Sequence, residues 1–309
     1  MGQTNVHQLA HVIKNAKCHV GPDSFSTHIA STYDIPIVAL FSCIEAANAG
    51  PYFGTKSRQI LFEGYKRVGN KKPSYSAQES PKSINTIMPE EIANAVFKLL
   101  GIEFQIPFKT VHIGSRYNNA TVREVIPNSY SVVDHPELPI EIRADLFYDE
   151  KKLAQQLNYF KKAIVVVEDN VNLDLLKTFK PNIQMVAYKI GVNDNPETVK
   201  KLINLGFQMV ILSELSDEEI QAKKIKYFEY GNINKVTKPK PEDIQKFKAN
   251  IDKLYYRTNK LVISNDKAYN GYGAEENNVA LSNDFEYQKV IDCESFWKDL
   301  DFMTIIEKS

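Results

Sequence analysis

Between residues 149 and 228 the chain alternates helix-like and strand-like segments, and that alternation limits the possible folds more than any other feature. Ala163-Ile164-Val165-Val166-Val167 and the segments 183–188 and 208–212 are short, apolar and rich in β-branched residues. Helical patterns at 149–159, 171–179, 196–205 and 216–228 separate and close them. Apolar strands divided by helices predict a parallel sheet with helices on both faces. The expected class is therefore α/β, with Rossmann-like parallel sheets. No G-x-G-x-x-G follows any of these strands, so a dinucleotide fingerprint is absent. Strands are also expected at 110–114, 129–133 and 140–146, which gives a unit over 106–234 that starts after Ile106-Pro107. A Lys/Pro linker covers 235–241, and a helix is expected at 241–254. A strand at 261–264 and an Asn-, Gly- and Tyr-rich loop over 265–283 follow. Phe296-Trp297 and Phe302-Met303 are expected to anchor the segment 235–309 onto a neighbouring surface.

A second α/β pattern occupies 1–105. Thr4 is expected to cap a helix striped with Val6, Leu9, Ala10, Val12, Ile13 and Ala16. Cys18-His19-Val20-Gly21-Pro22-Asp23-Ser24-Phe25-Ser26-Thr27-His28-Ile29-Ala30 then reads as strand 17–20, a tight turn and helix 24–33. Strands 36–41 and 59–62 follow, then a polar, basic loop over 64–87. Pro89-Glu90-Glu91 opens a helix that Gly101 ends. A strand that runs into a helix N-terminus is a site for anions, because the first helical N–H groups lack internal partners. Asp23, Ser24 and His28 crowd that spot, which points to a phosphate-bearing ligand such as a nucleotide sugar. Each also has a plainer reading, Asp23 and Ser24 as helix caps and His28 as a structural histidine.

Lys plus Arg and Asp plus Glu each number 38, so the formal net charge is zero. That balance argues against duplex DNA or a membrane surface as a general partner, and no nucleic-acid partner is expected. No stretch reaches the length of a membrane helix, and no charged-then-apolar leader opens the sequence. Val6 stands where myristoylation wants Ser or Thr. Cys18, Cys43 and Cys293 lack paired spacing, which suggests reduced thiols in a cytoplasmic protein; Cys18 and Cys43 are expected to pack inside. No metal is expected, since no D-x-D is placed to hold one with a diphosphate, and no cofactor is expected.

Roughly residues 1–65 resemble the donor-binding half of glycosyltransferase family 9, the ADP-heptose:lipopolysaccharide heptosyltransferase family. Gly2 to Ala16 matches the family's first helix, and Gly21 to Ala30 carries its D-S-x-x-x-H-x-A element. Ile37 to Phe41 matches the next strand, and Gly50-Pro51-Tyr52 the loop beyond. The resemblance implies a GT-B fold, two Rossmann-like domains facing a cleft. It assigns Asp23, Ser24, the backbone at Phe25 and His28 to the donor diphosphate and sugar, with Ser26 in the same turn. The implied reaction is inverting sugar transfer to a lipopolysaccharide-like or other surface glycan acceptor. The family's glycine after Asp-Ser is Phe25 here, and the glycine ending the next strand is Ser42. The family's acceptor domain, which would hold the catalytic base, should precede Gly2; catalytic residues are therefore unknown, and the unit at 106–234 is expected to replace that domain in permuted order. The competing expectations are a non-catalytic binding or assembly module and a truncated glycosyltransferase. In the truncated case an apolar face of the first helix and the edge of strand 17–20 would be left for a second copy or a partner chain.

Other candidates read as structural. Lys66, Arg67, Lys71 and Lys72 read as a solvated loop, and Arg143 with Asp145 as an ion pair on one strand face. Glu168-Asp169 stand just past a strand end, where open α/β sheets bind ligands. Asp217, Glu218 and Glu219 suit a helix first turn. Gly114 and Arg116, within the segment 112–118, offer a weak phosphate signal.

Overall fold

The computed structural model describes residues 4–69, 72–75, 82–117, 121–130, 139–192, 194–236, 239, 241–279, 281 and 286–308. The chain forms two compact units, residues 1–110 with 307–309, and residues 111–306.

The first unit contains α1 (Val6–Lys14), β1 (His19–Pro22), α2 (Phe25–Thr32), β2 (Ile37–Phe41), α3 (Ala46–Ala49), β3 (Gln59–Glu63), α4 (Gly64–Arg67) and α5 (Pro89–Leu100). β1, β2 and β3 lie in that order, parallel, with His19 beside Ile37 and Phe41 beside Glu63. The cap of α1 is Asn5, one residue beyond the expected Thr4. Its carboxamide accepts the Gln8 amide at 2.9 Å, and the Gln8 side chain accepts the Asn5 amide at 2.9 Å. This reciprocal pair satisfies two orphan donors at once; three residues beyond Thr4 stands His7, not the Glu or Gln that returns the second bond. Leu9, Ala10 and Ile13 pack on Ile29, Ile37 and Phe41. Val6 and Val12 remain 57% and 59% exposed, as does Val20 (47%) on the edge strand β1. Cys43, expected inside, is exposed because it lies in the bend after β2 rather than in the strand. Gly101 ends α5 in the left-handed region at φ 66, as glycine does at a helix C-terminus.

The chain enters the second unit within β4 (Phe108–Ile113) and runs on through β5 (Val122–Val125), β6 (Ile140–Arg143), α6 (Glu150–Tyr159), β7 (Ala163–Val167), α7 (Leu173–Thr178), β8 (Ile183–Ile190), α8 (Pro196–Asn204), β9 (Met209–Ser213), α9 (Asp217–Tyr227) and β10 (Ile233–Lys235). It continues with α10 (Pro241–Lys248), β11 (Leu254–Thr258), β12 (Lys260–Ser264), β13 (Lys267–Tyr269), α11 (Tyr272–Glu276), β14 (Gln288–Lys289), α12 (Glu294–Lys298) and β15 (Met303–Lys308). An eight-stranded sheet has the order β10-β9-β8-β7-β6-β5-β12-β13, and only β13 is antiparallel to its neighbour. The α/β class read from the alternation is the class observed. Asp149, Asn172, Asn195 and Ser216 start α6 to α9 by accepting first-turn amides.

Register sorts the side chains of this sheet. Ile142, Val165, Val186 and Ile263 fall on one face and pack against Leu153, Leu157, Leu176, Val199 and Leu202 of α6 to α8. Glu124, Glu141, Arg143, Lys189 and Lys260 fall on the other. A four-stranded sheet, β14-β11-β15-β4, carries a separate core in which Phe296, Trp297 and Met303 are buried. The expected strand at 129–133 does not form over 129–130, and 131–133 lie outside the described residues. The strand there is β5, seven residues earlier. The expected helix over 241–254 stops at Lys248, since Leu254 begins β11. β10 extends into the stretch read as linker, and β13 and α11 lie inside the stretch read as loop. Thr237, Lys238 and Lys240 of that linker, and Ala280 and 282–283 of that loop, lie outside the described residues.

Candidate functional site

The turn between β1 and α2 is built from the strand upward. The Asp23 amide donates to the Leu40 carbonyl at 3.2 Å, so the chain follows β2 until the turn begins. Ser24 takes the N-cap position with extended backbone (φ −161, ψ 162), yet its side chain caps nothing. Its hydroxyl instead shares a 2.8 Å hydrogen bond with the Ser26 hydroxyl. The Thr27 amide reaches the Ser24 carbonyl at 3.0 Å. The amides of Phe25 and Ser26 thus keep no side-chain cap, at the positive end of the α2 dipole.

A hydroxyl and imidazole cluster supports the turn from below. The Thr27 hydroxyl donates to the Pro22 carbonyl at 3.0 Å. Its only proton is used there, so it accepts from His19 Nε2 at 3.2 Å, which fixes that nitrogen as the donor. Ser26 Oγ lies 3.4 Å from the same nitrogen. Burial pushes the His19 pKa below its ordinary value, favouring the neutral ring. Gly21 shares the His19 face of β1, and a Cβ there would lie 3.1 Å from His19 Nε2. A bare glycine therefore leaves room for the ring.

The five residues singled out from sequence, Asp23, Ser24, Phe25, Ser26 and His28, meet in this one turn. Asp23 and His28 are half-buried, and their side chains make no hydrogen bond or ion pair among the described residues. The Phe25 ring is 60% exposed and does not fill the turn. At the same carboxyl edge of the sheet, Glu63 ends β3. It accepts the Ala46 amide at 3.2 Å and the Tyr65 hydroxyl at 2.7 Å, and it pairs with Lys66. Burial raises the Glu63 pKa, but hydrogen bonds from Lys66, Tyr65 and Ala46 outweigh it and hold the carboxyl below its usual range. Lys66 is therefore half of an ion pair rather than a free loop cation. Arg67 is held too, at 2.7 and 3.0 Å from the two Glu91 oxygens. Gly2 and Lys71 lie outside the described residues, and Lys72 is exposed.

Residues 1–74 match the sequence model of glycosyltransferase family 9 (heptosyltransferase). The family 9 match spans the whole β1–α2 turn and the three-stranded sheet around it, and it bears out the resemblance read from the D-S-x-x-x-H-x-A element. No curated protein and no solved structure matches the chain. The second unit lies outside the family 9 segment.

The remaining candidates are structural in geometry. Asp169 accepts the Tyr188 hydroxyl at 2.5 Å, the Asn195 amide at 2.8 Å and the Thr198 hydroxyl at 2.8 Å, which clamps the loop after β8. Glu168 is exposed. Ser216 caps α9, where Glu219 returns a bond to the Ser216 amide at 2.8 Å, and Asp217 pairs with Lys235 at 2.7 Å. Arg116 lies over the Phe302 ring at 4.2 Å, Gly114 packs against the Asp301 backbone, and Asn118 lies outside the described residues. His19, Thr27 and Glu63 escaped the sequence reading. The spacing of His19 and Gly21, two apart on one strand face, was the available signal for the first.

Among the described residues, no group of three His, Cys, Asp or Glu side chains is placed to hold a metal. No helix among them is long and apolar enough to cross a membrane.

Proposed function

We propose that the first unit is the donor site of a GT-B-like glycosyltransferase, and that its ligand is a nucleotide-diphospho sugar. The observation that carries this reading is the uncapped N-terminus of α2, with Asp23 and His28 unengaged beside it, inside the segment that matches family 9. In this reading the diphosphate takes the Phe25 and Ser26 amides, and the Ser24 hydroxyl adds a donor. His28, one turn into the helix, donates to a phosphate oxygen. Asp23 is a poor phosphate neighbour by charge, so it accepts from a sugar hydroxyl instead. As the glycosidic bond to the diphosphate breaks, negative charge grows on the leaving group, where these fixed donors and the helix dipole stabilise it. The acceptor is a lipopolysaccharide-like or other surface glycan. Its base lies outside this turn, and the second unit takes the acceptor domain's part in permuted chain order.

The competing reading is a non-catalytic nucleotide-sugar binding or assembly module, which Phe25 at the family's glycine position favours. A donor of this class and three free thiols support a cytoplasmic location. The exposed Val6 and Val12, together with the edge strand β1, support a second copy or a partner chain covering that side. The test of catalysis is nucleotide release from ADP-, UDP- and GDP-sugars in the presence of glycan acceptors. Release that disappears in Asp23→Ala and His28→Ala supports the enzyme. Tight donor binding without release supports the module.

A further inference from the structure

We infer that His19 is a positioning residue of the β1–α2 turn: by holding its proton on Nε2 it leaves the Ser24 and Ser26 hydroxyls one proton to give, so that the pair meets a ligand as a donor. The role rests on the donor-site reading above. It adds what that site selects, an oxyanion with no proton of its own, such as an ionised phosphate. His19 opens β1 and stands outside the D-S-x-x-x-H-x-A element.

The protons of this cluster can be counted. Thr27 is 1% exposed, and its one hydroxyl proton goes to the Pro22 carbonyl at 3.0 Å. Thr27 Oγ1 can then only accept, so the His19 nitrogen 3.2 Å away carries a hydrogen. The same N–H faces Ser26 Oγ at 3.4 Å and cannot take a proton from it. Ser24 and Ser26 hold two hydroxyl protons between them, and the 2.8 Å bond that joins them uses one. The other has no acceptor among the described residues. Both hydroxyls are half-buried in the turn, so that proton is left for whatever occupies it. The opposite tautomer reverses the outcome. With the proton on Nδ1, Nε2 would accept from Ser26 and Ser26 from Ser24. The pair would then offer only lone pairs, which repel an anion. Nδ1 makes no hydrogen bond among the described residues, so the Pro22 carbonyl, acting through Thr27, makes the choice. Burial lowers the His19 pKa and keeps the ring neutral, so tautomer rather than charge sets the polarity. One consequence separates this arrangement from two independent serine contacts. With Ser24 removed, Ser26 keeps a spare proton, because His19 cannot take it. With Ser26 removed, Ser24 keeps its own.

The test reads the tautomer first, by proton–nitrogen correlation spectra of the histidine rings in the isotope-labelled full chain without ligand. The His19 signals are assigned by their loss in His19→Gln. A proton on Nε2 is expected. Calorimetric titration with ADP, UDP and GDP follows, on variants whose melts match the unaltered chain. Ser24→Ala and Ser26→Ala should each weaken the nucleotide that binds by no more than about twofold, and the double variant by about tenfold or more, the worth of a hydrogen bond to a charged group. His19→Leu should weaken binding about three- to tenfold, because nothing then holds Ser26 Oγ, and His19→Gln, whose amide can donate in place of Nε2, should restore most of it. A proton on Nδ1, serine losses that simply multiply, or unchanged binding in His19→Leu overturns the role of His19 while leaving the donor site standing. If no nucleotide binds the unaltered chain although Nε2 carries the proton, the donor-site reading fails and takes this role with it.

Discussion

Replacing Glu124 by Gln should destabilise the second unit by roughly 3 kcal/mol. Glu124 is 3% exposed and accepts from Lys260 at 2.8 Å, Arg143 at 2.5 Å and the Tyr272 hydroxyl at 2.5 Å. Burial alone would raise its pKa. The charges of Lys260 and Arg143, with hydrogen bonds from Lys260 and Tyr272, overcome that and hold it at about 2 against an ordinary 4.5. At about 1.4 kcal/mol per pH unit, that gap corresponds to roughly 3 kcal/mol favouring the ionised, folded form. Breaking a buried pair by removing one partner costs about 3–5 kcal/mol, which agrees. The sign follows from the depressed pKa: this stability is present above pH 4.5 and is lost as pH falls toward 2. The assay is urea unfolding followed by tryptophan fluorescence at pH 7 and at pH 3. Trp297 is the sole tryptophan and is buried in the second unit, so the signal reports that unit. Glu124→Gln should lower stability at pH 7 by roughly 3 kcal/mol and flatten the acid limb. A loss under about 1 kcal/mol at pH 7, with the acid limb intact, would refute the ionised, paired assignment.

Gly114→Ala should lower the melting temperature and cost about 1–3 kcal/mol, because its Cβ would lie 2.2 Å from the Asp301 carbonyl oxygen. His19 has a depressed pKa, so an unfolded chain binds its proton first; stability should fall as pH drops below 6.5. His19→Asn should remove that slope from pH-dependent melts. Phe25→Ala should change stability by no more than about 0.5 kcal/mol, since the ring is 60% exposed. Phe25→Gly should tighten donor binding by calorimetry, if the missing family glycine is what hinders close approach.

The central strands of the large sheet were readable because their apolar runs are short and helix-flanked. β7 forms over the residues expected. β5 was not readable: Val122-Arg123-Glu124-Val125 places a carboxylate in a buried strand, and only partners distant in sequence, Arg143 and Lys260, make that tolerable. β11 was hidden for a similar reason, as its Tyr255 and Arg257 look like a helix surface until Tyr256 is seen buried against Phe296. At the candidate site, the motif located Asp23 to His28, and the β1–α2 turn assembles them. The support by His19 and Thr27 depended on side-chain geometry eight residues apart, which spacing alone does not encode. The charged face of the large sheet depended on register. A one-residue slip would have sent Arg143 and Lys189 into the apolar core.

Calorimetric titration of the full chain with ADP, UDP and GDP and their sugars, beside Asp23→Ala, tests the donor-site reading most directly. The account predicts saturable binding of one nucleotide series, stronger for the sugar-bearing member, and loss of that sugar-dependent gain in Asp23→Ala. A folded protein that binds none of them, or that binds equally well with Asp23 replaced, would contradict it.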